Sequence, residues 1–314
     1  MMVIFSIFST VKKELKTIYS KILMMYNKFF PSSYIFIGPI TSSTTIYIPQ
    51  HVKTIYVTGI AGGGGGAASS GSANRSGSGG GSGEFCWRFP IPTSALFFDH
   101  IEKRYELPIL IPSGGSGGNS IGASGNPGGD LIVGPLKLQG GRGGVLSNPG
   151  GNGGGYGIIN RGAGIGGQNI RDNGGNGGFF LSYPTLASYT PSTLLEVDYQ
   201  YFLYGGAGGG AGNAPDSGSG GSGGSCGNPP SNPFNASYFS GGIGRSSGPG
   251  TTGGGGGASS PWGQGGNGGF GSSPGDHASG YGAGGGGAGG NVSGGTWWRG
   301  GNGSPGICWI EWWE

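Results

Sequence analysis

The chain has 314 residues, of which 83 are glycine and 20 proline, with only 9% charged residues and a net charge of +3. So weak a charge gives no bias toward nucleic acid or acidic substrates, and glycine plus proline at this level is foreign to ordinary globular domains. Disorder is the composition's first suggestion, but an aromatic content of 11% and an apolar content of 33% argue for packing.

Residues 1–30 read MMVIFSIFSTVKKELKTIYSKILMMYNKFF. The start lacks a basic residue and Lys12, Lys13, Glu14 and Lys16 interrupt the apolar run, which argues against a signal peptide and against a membrane span. Ile4, Phe8, Val11, Leu15, Ile18, Ile22, Met25 and Phe29 alternate spacings of 4 and 3, the seam of an amphipathic α-helix. A homo-oligomeric coiled coil and a helix packed on its own domain fit that seam equally, and a helix on a membrane surface is a third arrangement.

From Tyr34 the texture becomes YIFIGPI, TTIYIPQ and VKTIYVTGI, β-branched and aromatic runs cut by Gly, Pro and Ser, which predict short strands. In the last of these Ile55 and Val57 face one way while Tyr56, Thr58 and Ile60 face the other, so both faces should be covered. Further islands are EFCWRFPI, ALFFDHIEKRYELPILIP, DLIVGPLKLQ, FFLSYPTLASY and STLLEVDYQYFLY. Three units are expected: a helix over 1–30, a strand-bearing glycine-rich region over 31–204, and a polyglycine region over 205–314 closed by a strand.

Of the 83 glycines, Gly38 and Gly59 alone precede residue 61. Units such as NPGGD, NPGGN and GGNGG recur, while a strict Gly-X-Y period is absent, which excludes collagen. Gly-Gly-X suits a threefold left-handed helix of the polyproline II type, whose bare faces exchange N–H and C=O bonds with neighbours. Ordering glycine costs roughly 1 to 2 kcal/mol per residue, so long-range anchors are required. The closing run ICWIEWW supplies them: Ile310 and Trp312 lie on one face with Cys308, and Ile307 and Trp309 on the other with Trp313. It should lie beside VKTIYVTGI.

Taken in order, IYIPQHVKTIYVTGIAGGGGGAASS, GGGSGEFCWRFPIP, GGDLIVGPLKLQGGRGG, SGYGAGGGGAGG and GGNGSPGICWIEWWE resemble the glycine-rich domain of bacteriophage tail-fibre and other virion-surface proteins, and of related proteins in large DNA viruses. The resemblance covers about residues 44 to 314. It implies a virion-surface location, other virion proteins as partners, and a host receptor or glycan as a contact, but carries no contact residue over. The expected fold is all-β: short strands in a sandwich or jelly-roll-like base, packed polyglycine helices with glycine-rich loops, and an N-terminal α-helix.

Chemistry is sparse. His51, His100 and His277 lie in no metal-binding or triad-like spacing, and Cys86, Cys226 and Cys308 lack metal-ligand spacing. No phosphate-binding GxxxxGK[ST] occurs. Neither catalytic, metal nor cofactor-binding residues are expected, and no cofactor. The RGG triplets at Arg142 and Arg299 raise a low-complexity RNA-binding protein as one alternative to a structural virion component. A secreted cell-wall or silk-like matrix protein is another.

Overall fold

A computed structural model describes residues 33–70, 75–146, 151, 166–167, 173, 203–204, 206–210, 212, 219–226, 237, 239–245, 251–291 and 296–314. The helix expected over 1–30, with its seam residues Ile4 to Phe29, lies outside these, as do FFLSYPTLASY and most of STLLEVDYQYFLY. The described chain is all-β, with antiparallel pairing in every ladder. Its strands are β1 (Tyr34–Ile40), β2 (Thr44–Pro49), β3 (Thr54–Ile60), β4 (Phe85–Pro92), β5 (Phe97–Asp99), β6 (Arg104–Leu110), β7 (Leu131–Val133), β8 (Leu136–Leu138), β9 (Leu203–Tyr204), β10 (Thr251–Thr252), β11 (Gly290–Asn291) and β12 (Ile307–Trp313).

One sheet runs β1-β12-β3-β4-β9, a second runs β2-β6-β7-β8 with β5 also on β6, and β10 pairs with β11 alone. The closing strand β12 therefore sits between β1 and β3, with Ile310 opposite both Ile37 and Val57 and Trp309 opposite Thr58. Because both faces of the sheet are covered at β3 and β12, each strand needs apolar residues on both faces. Their sequences TIYVTGI and ICWIEWW are buried almost throughout.

Two clusters flank this sheet. Ile55, Val57, Cys86, Cys308, Ile310 and Trp312 meet Ile48, Leu107, Ile109, Leu131 and Leu138 from the second sheet in one buried core. On the opposite face Ile60, Phe85, Trp87, Ile307 and Trp309 join Ala207, Cys226, Ala258 and Trp262 from the glycine-rich chain. Trp262 stacks on Trp87 at 6.2 Å and tilts against Trp309 at 5.4 Å. Trp309 also packs closely against Gly38 of β1 (φ +144°), where a Cβ would overlap the indole. Fully burying such a side chain is worth about 1.5 to 3 kcal/mol.

Beyond the sheets the chain folds into glycine segments with no side-chain core. In residues 62–70 the N–H partner repeats every three residues. Gly62, Gly65 and Ala68 donate to Gly129, Asn126 and Ala123, while Gly63, Gly66 and Ser69 donate to Ser304, Gly301 and Trp298. Gly64, Ala67 and Ser70 donate to Gly81, Ser78 and Arg75. The carbonyls follow the same rule, with those of Gly63 and Gly66 accepting from Gly115 and Gly118, those of Gly62 and Gly65 from Gly141 and Gly144, and those of Gly64 and Ala67 from Gly285 and Ala288. One segment is thus surrounded by six others.

So close an approach leaves no room for side chains: a Cβ on Gly66 would overlap the Gly286 carbonyl. Where a little space remains, alanine and serine fill it, and the buried hydroxyls join the lattice. Ser78 Oγ donates to Val145 O at 2.6 Å, and Ser82 Oγ accepts from Ala207 N at 2.7 Å. Each lateral bond contributes about 0.5 to 1.5 kcal/mol net, which only offsets the ordering cost of glycine, so the two apolar clusters supply the surplus.

Candidate functional site

The same threefold repeat builds a groove on the flank of the glycine bundle. Residues 298–304 form its floor and are bonded to both walls. Gly300 and Gly303 donate to Gly118 and Gly115 at 3.1 and 2.9 Å on one side. Gly275 and Ala278 donate to Arg299 and Asn302 at 3.0 and 2.9 Å on the other. The cavity is about 600 Å³ and is lined by Ser116, Asn119, Asp276, His277, Arg299 and Asn302 together with Gly117, Pro274, Gly275 and Gly300.

Period three explains why polar side chains gather there. When two of every three residues turn inward as glycine, the third points out. Ser113, Ser116 and Asn119 are exposed along one wall in SGGSGGN, and Arg299 and Asn302 along the floor in RGGN. Several donors and acceptors are already committed. His277 Nδ1 accepts from Asn302 N at 2.8 Å, Asn302 Oδ1 accepts from Gly117 N at 2.8 Å, and Asp276 Oδ2 accepts from Asn267 Nδ2 at 3.1 Å. The imidazole nitrogen bonded to Asn302 is therefore the ring's acceptor, and its hydrogen sits on Nε2 when the ring is neutral. The ion pairs among the described residues are Arg88–Glu311 and Lys137–Asp130, so the Arg299 guanidinium has no carboxylate partner among them.

A second polar cluster lies on the first sheet, among β1, β3, β4 and β12. Trp87 and Arg88 together oppose Thr58 in a bulge where the β3–β4 register shifts, and Arg88 takes φ +50° there. That turn lays its guanidinium over the rings of Tyr56 and Trp313, 5.4 and 5.3 Å from their centroids. Arg88 Nε donates to one oxygen of the buried Glu311 and the Tyr34 hydroxyl donates to the other. Burial, then the bond to Glu311, raises the Tyr34 pKa above its ordinary value. Both carboxylate oxygens are thus engaged within the protein, and the cluster is a brace between β1, β4 and β12.

The residues expected from sequence fall as follows. Ile55, Val57, Ile310 and Trp312 are in the core shared by the two sheets, and Ile307 and Trp309 are in the cluster facing the glycine bundle. Arg142 lies in a glycine segment with its carbonyl accepting from Gly81. His100 sits beside Asp99, whose carboxylate caps a turn by accepting from Ile101 and Glu102 at 2.9 and 3.2 Å. Among the described residues no group of three or more His, Cys, Asp or Glu side chains is gathered. The groove itself went unforeseen. Its signal is a polar residue every third position, which acquires meaning only when the segments on either side are known.

A family model described as "Glycine-rich domain" matches residues 40–313, and the chain belongs to that family. A comparison with curated proteins gives no match.

Proposed function

We propose, with that membership as the premise, that the protein is a non-enzymatic structural component of a virus particle, displayed on the particle surface as a capsid-surface, fibre or host-attachment part. The architecture we infer for it is a two-sheet sandwich-like base carrying polyproline-II-type glycine helices. The seam over residues 1–30 would serve homo-oligomerisation.

The observation that carries this reading is the buried glycine bundle bonded through backbone in six directions. A scaffold held by backbone is stiff without a large side-chain core, and its outward third positions are free to change without disturbing the interior. Those are the properties a particle-surface protein needs when it must persist outside a cell and vary its contacts. The resemblance to tail-fibre and virion-surface domains points the same way. Exposed Tyr47, Phe97 and Leu110 on the outer face of the second sheet offer an apolar surface for other virion proteins. Weak net charge argues against nucleic acid as a partner.

Mass spectrometry and immunogold imaging of purified particles test this. The protein should co-purify with particles and be labelled on them without detergent. Its recovery only in particle-free fractions would overturn the reading.

A further inference from the structure

We propose that the groove on the flank of the glycine bundle binds a carboxylated sugar, with Arg299 holding the carboxylate and Asp276 accepting from ring hydroxyls. This deepens the attachment reading and rests on it.

Three features support the assignment. The cavity, about 600 Å³, falls within the range of roughly 300 to 1,000 Å³ in which small-molecule sites lie. Its floor is bonded by backbone to both walls, so the lining is held in place before a ligand arrives, and little ordering is left for binding to supply.

The lining is also specific in kind. Arg299 brings a planar guanidinium with no carboxylate partner among the described residues, a group suited to grip a carboxylate through two parallel bonds. Asp276 has one oxygen on Asn267 and leaves the other as an acceptor. Asn302 uses its side-chain oxygen on Gly117, which leaves its amide N–H groups as donors, and Ser116 Oγ accepts from Asn126 Nδ2 at 2.7 Å while keeping its own hydrogen.

One cation and one open acceptor lining the same groove disfavour several ligand classes. A neutral hexose would leave the guanidinium without a counter-charge, and no Phe, Tyr or Trp ring lines the groove to stack on its apolar face. A sulfate ion satisfies Arg299 but offers no hydroxyl to Asp276. A hydroxy-acid ring, as in a hexuronic or sialic acid, places an anion and several O–H donors on one small frame, and matches both.

Ligand-observed NMR titration of the full-length protein distinguishes these cases, with glucuronate as the probe and glucose and inorganic sulfate as comparisons. Glucuronate should bind saturably and about tenfold or more tightly than glucose, the loss expected for one charge-assisted bond. Arg299→Gln should weaken glucuronate by a similar factor, Asp276→Asn should weaken both sugars, and Arg142→Gln, an exposed arginine elsewhere on the bundle, should change nothing. The proposal is overturned if glucuronate does not saturate, if glucose or sulfate binds as well, or if Arg142→Gln costs as much as Arg299→Gln. Particle localisation is measured separately, so a groove that binds glucuronate in a protein absent from particles would sink the functional reading and leave the site standing.

Discussion

Cys226 is fully buried beneath the glycine bundle, its thiol donating to the Ser259 carbonyl at 3.5 Å and lying 3.8 Å from Ser82 Oγ. Burial pushes its pKa from 9.0 to about 11, and that of Cys308 from 9.0 to about 12. Well below pH 9 folded and unfolded thiols are both protonated, and the protein has its full stability from this source. Above it the unfolded thiols ionise first, so stability falls as pH rises toward the folded values. Thermal melts between pH 7.5 and 10.5 should show a falling midpoint, and Cys226→Ala should flatten part of that fall, with about 2 to 3 kcal/mol at stake once titration is complete. A pH profile identical to the unmodified protein would mean that the thiol is solvated. At this scale some burial was legible: the alternation in ICWIEWW separates Cys308, Ile310 and Trp312 from Ile307, Trp309 and Trp313. Glu311 was not, because a carboxylate in an apolar strand acquires a reason only when the bulge at Trp87 and Arg88 brings a guanidinium onto it.

Among the elements β12 carries the most consequence, since it is hydrogen-bonded on both sides and covered on both faces. Trp309 touches the aromatic cluster through Trp262 and lies on Gly38, so Trp309→Ala removes contacts to β1 and to the glycine chain at once. Chemical denaturation should report a loss of about 3 to 5 kcal/mol; an unchanged midpoint would place the indole outside the core. Strand existence was readable for β3 and β12 because length, β-branching and two-faced apolarity agree. The adjacency of these strands followed from their being the best-buried ends of the glycine field. The island ALFFDHIEKRYELPILIP was harder, because its break into β5 and β6 depends on Asp99 capping the turn between them. The bulges in β1 and β4 leave no trace in hydrophobic pattern, since an extra residue shifts register without changing composition.

For the whole molecule the glycine segments decide how the protein resists opening. Interior N–H groups from Gly62 to Ser70 and from Gly77 to Glu84 all donate to other segments. Hydrogen exchange followed by mass spectrometry should therefore find these amides protected to the level of β3, well beyond what irregular chain shows. Exchange at unprotected rates would remove the bundle. Composition announced that glycine would pack, but not which segment meets which, because Gly-Gly-X presents nearly the same surface everywhere. That sameness reaches further. A segment displaced along its axis by three residues would find an equivalent carbonyl opposite every N–H, so the backbone bonds by themselves hold no unique alignment. Residues 61–70 leave β3, residues 75–84 enter β4 and residues 298–306 enter β12, so the side chains of three adjacent strands set the zero from which all the glycine is counted.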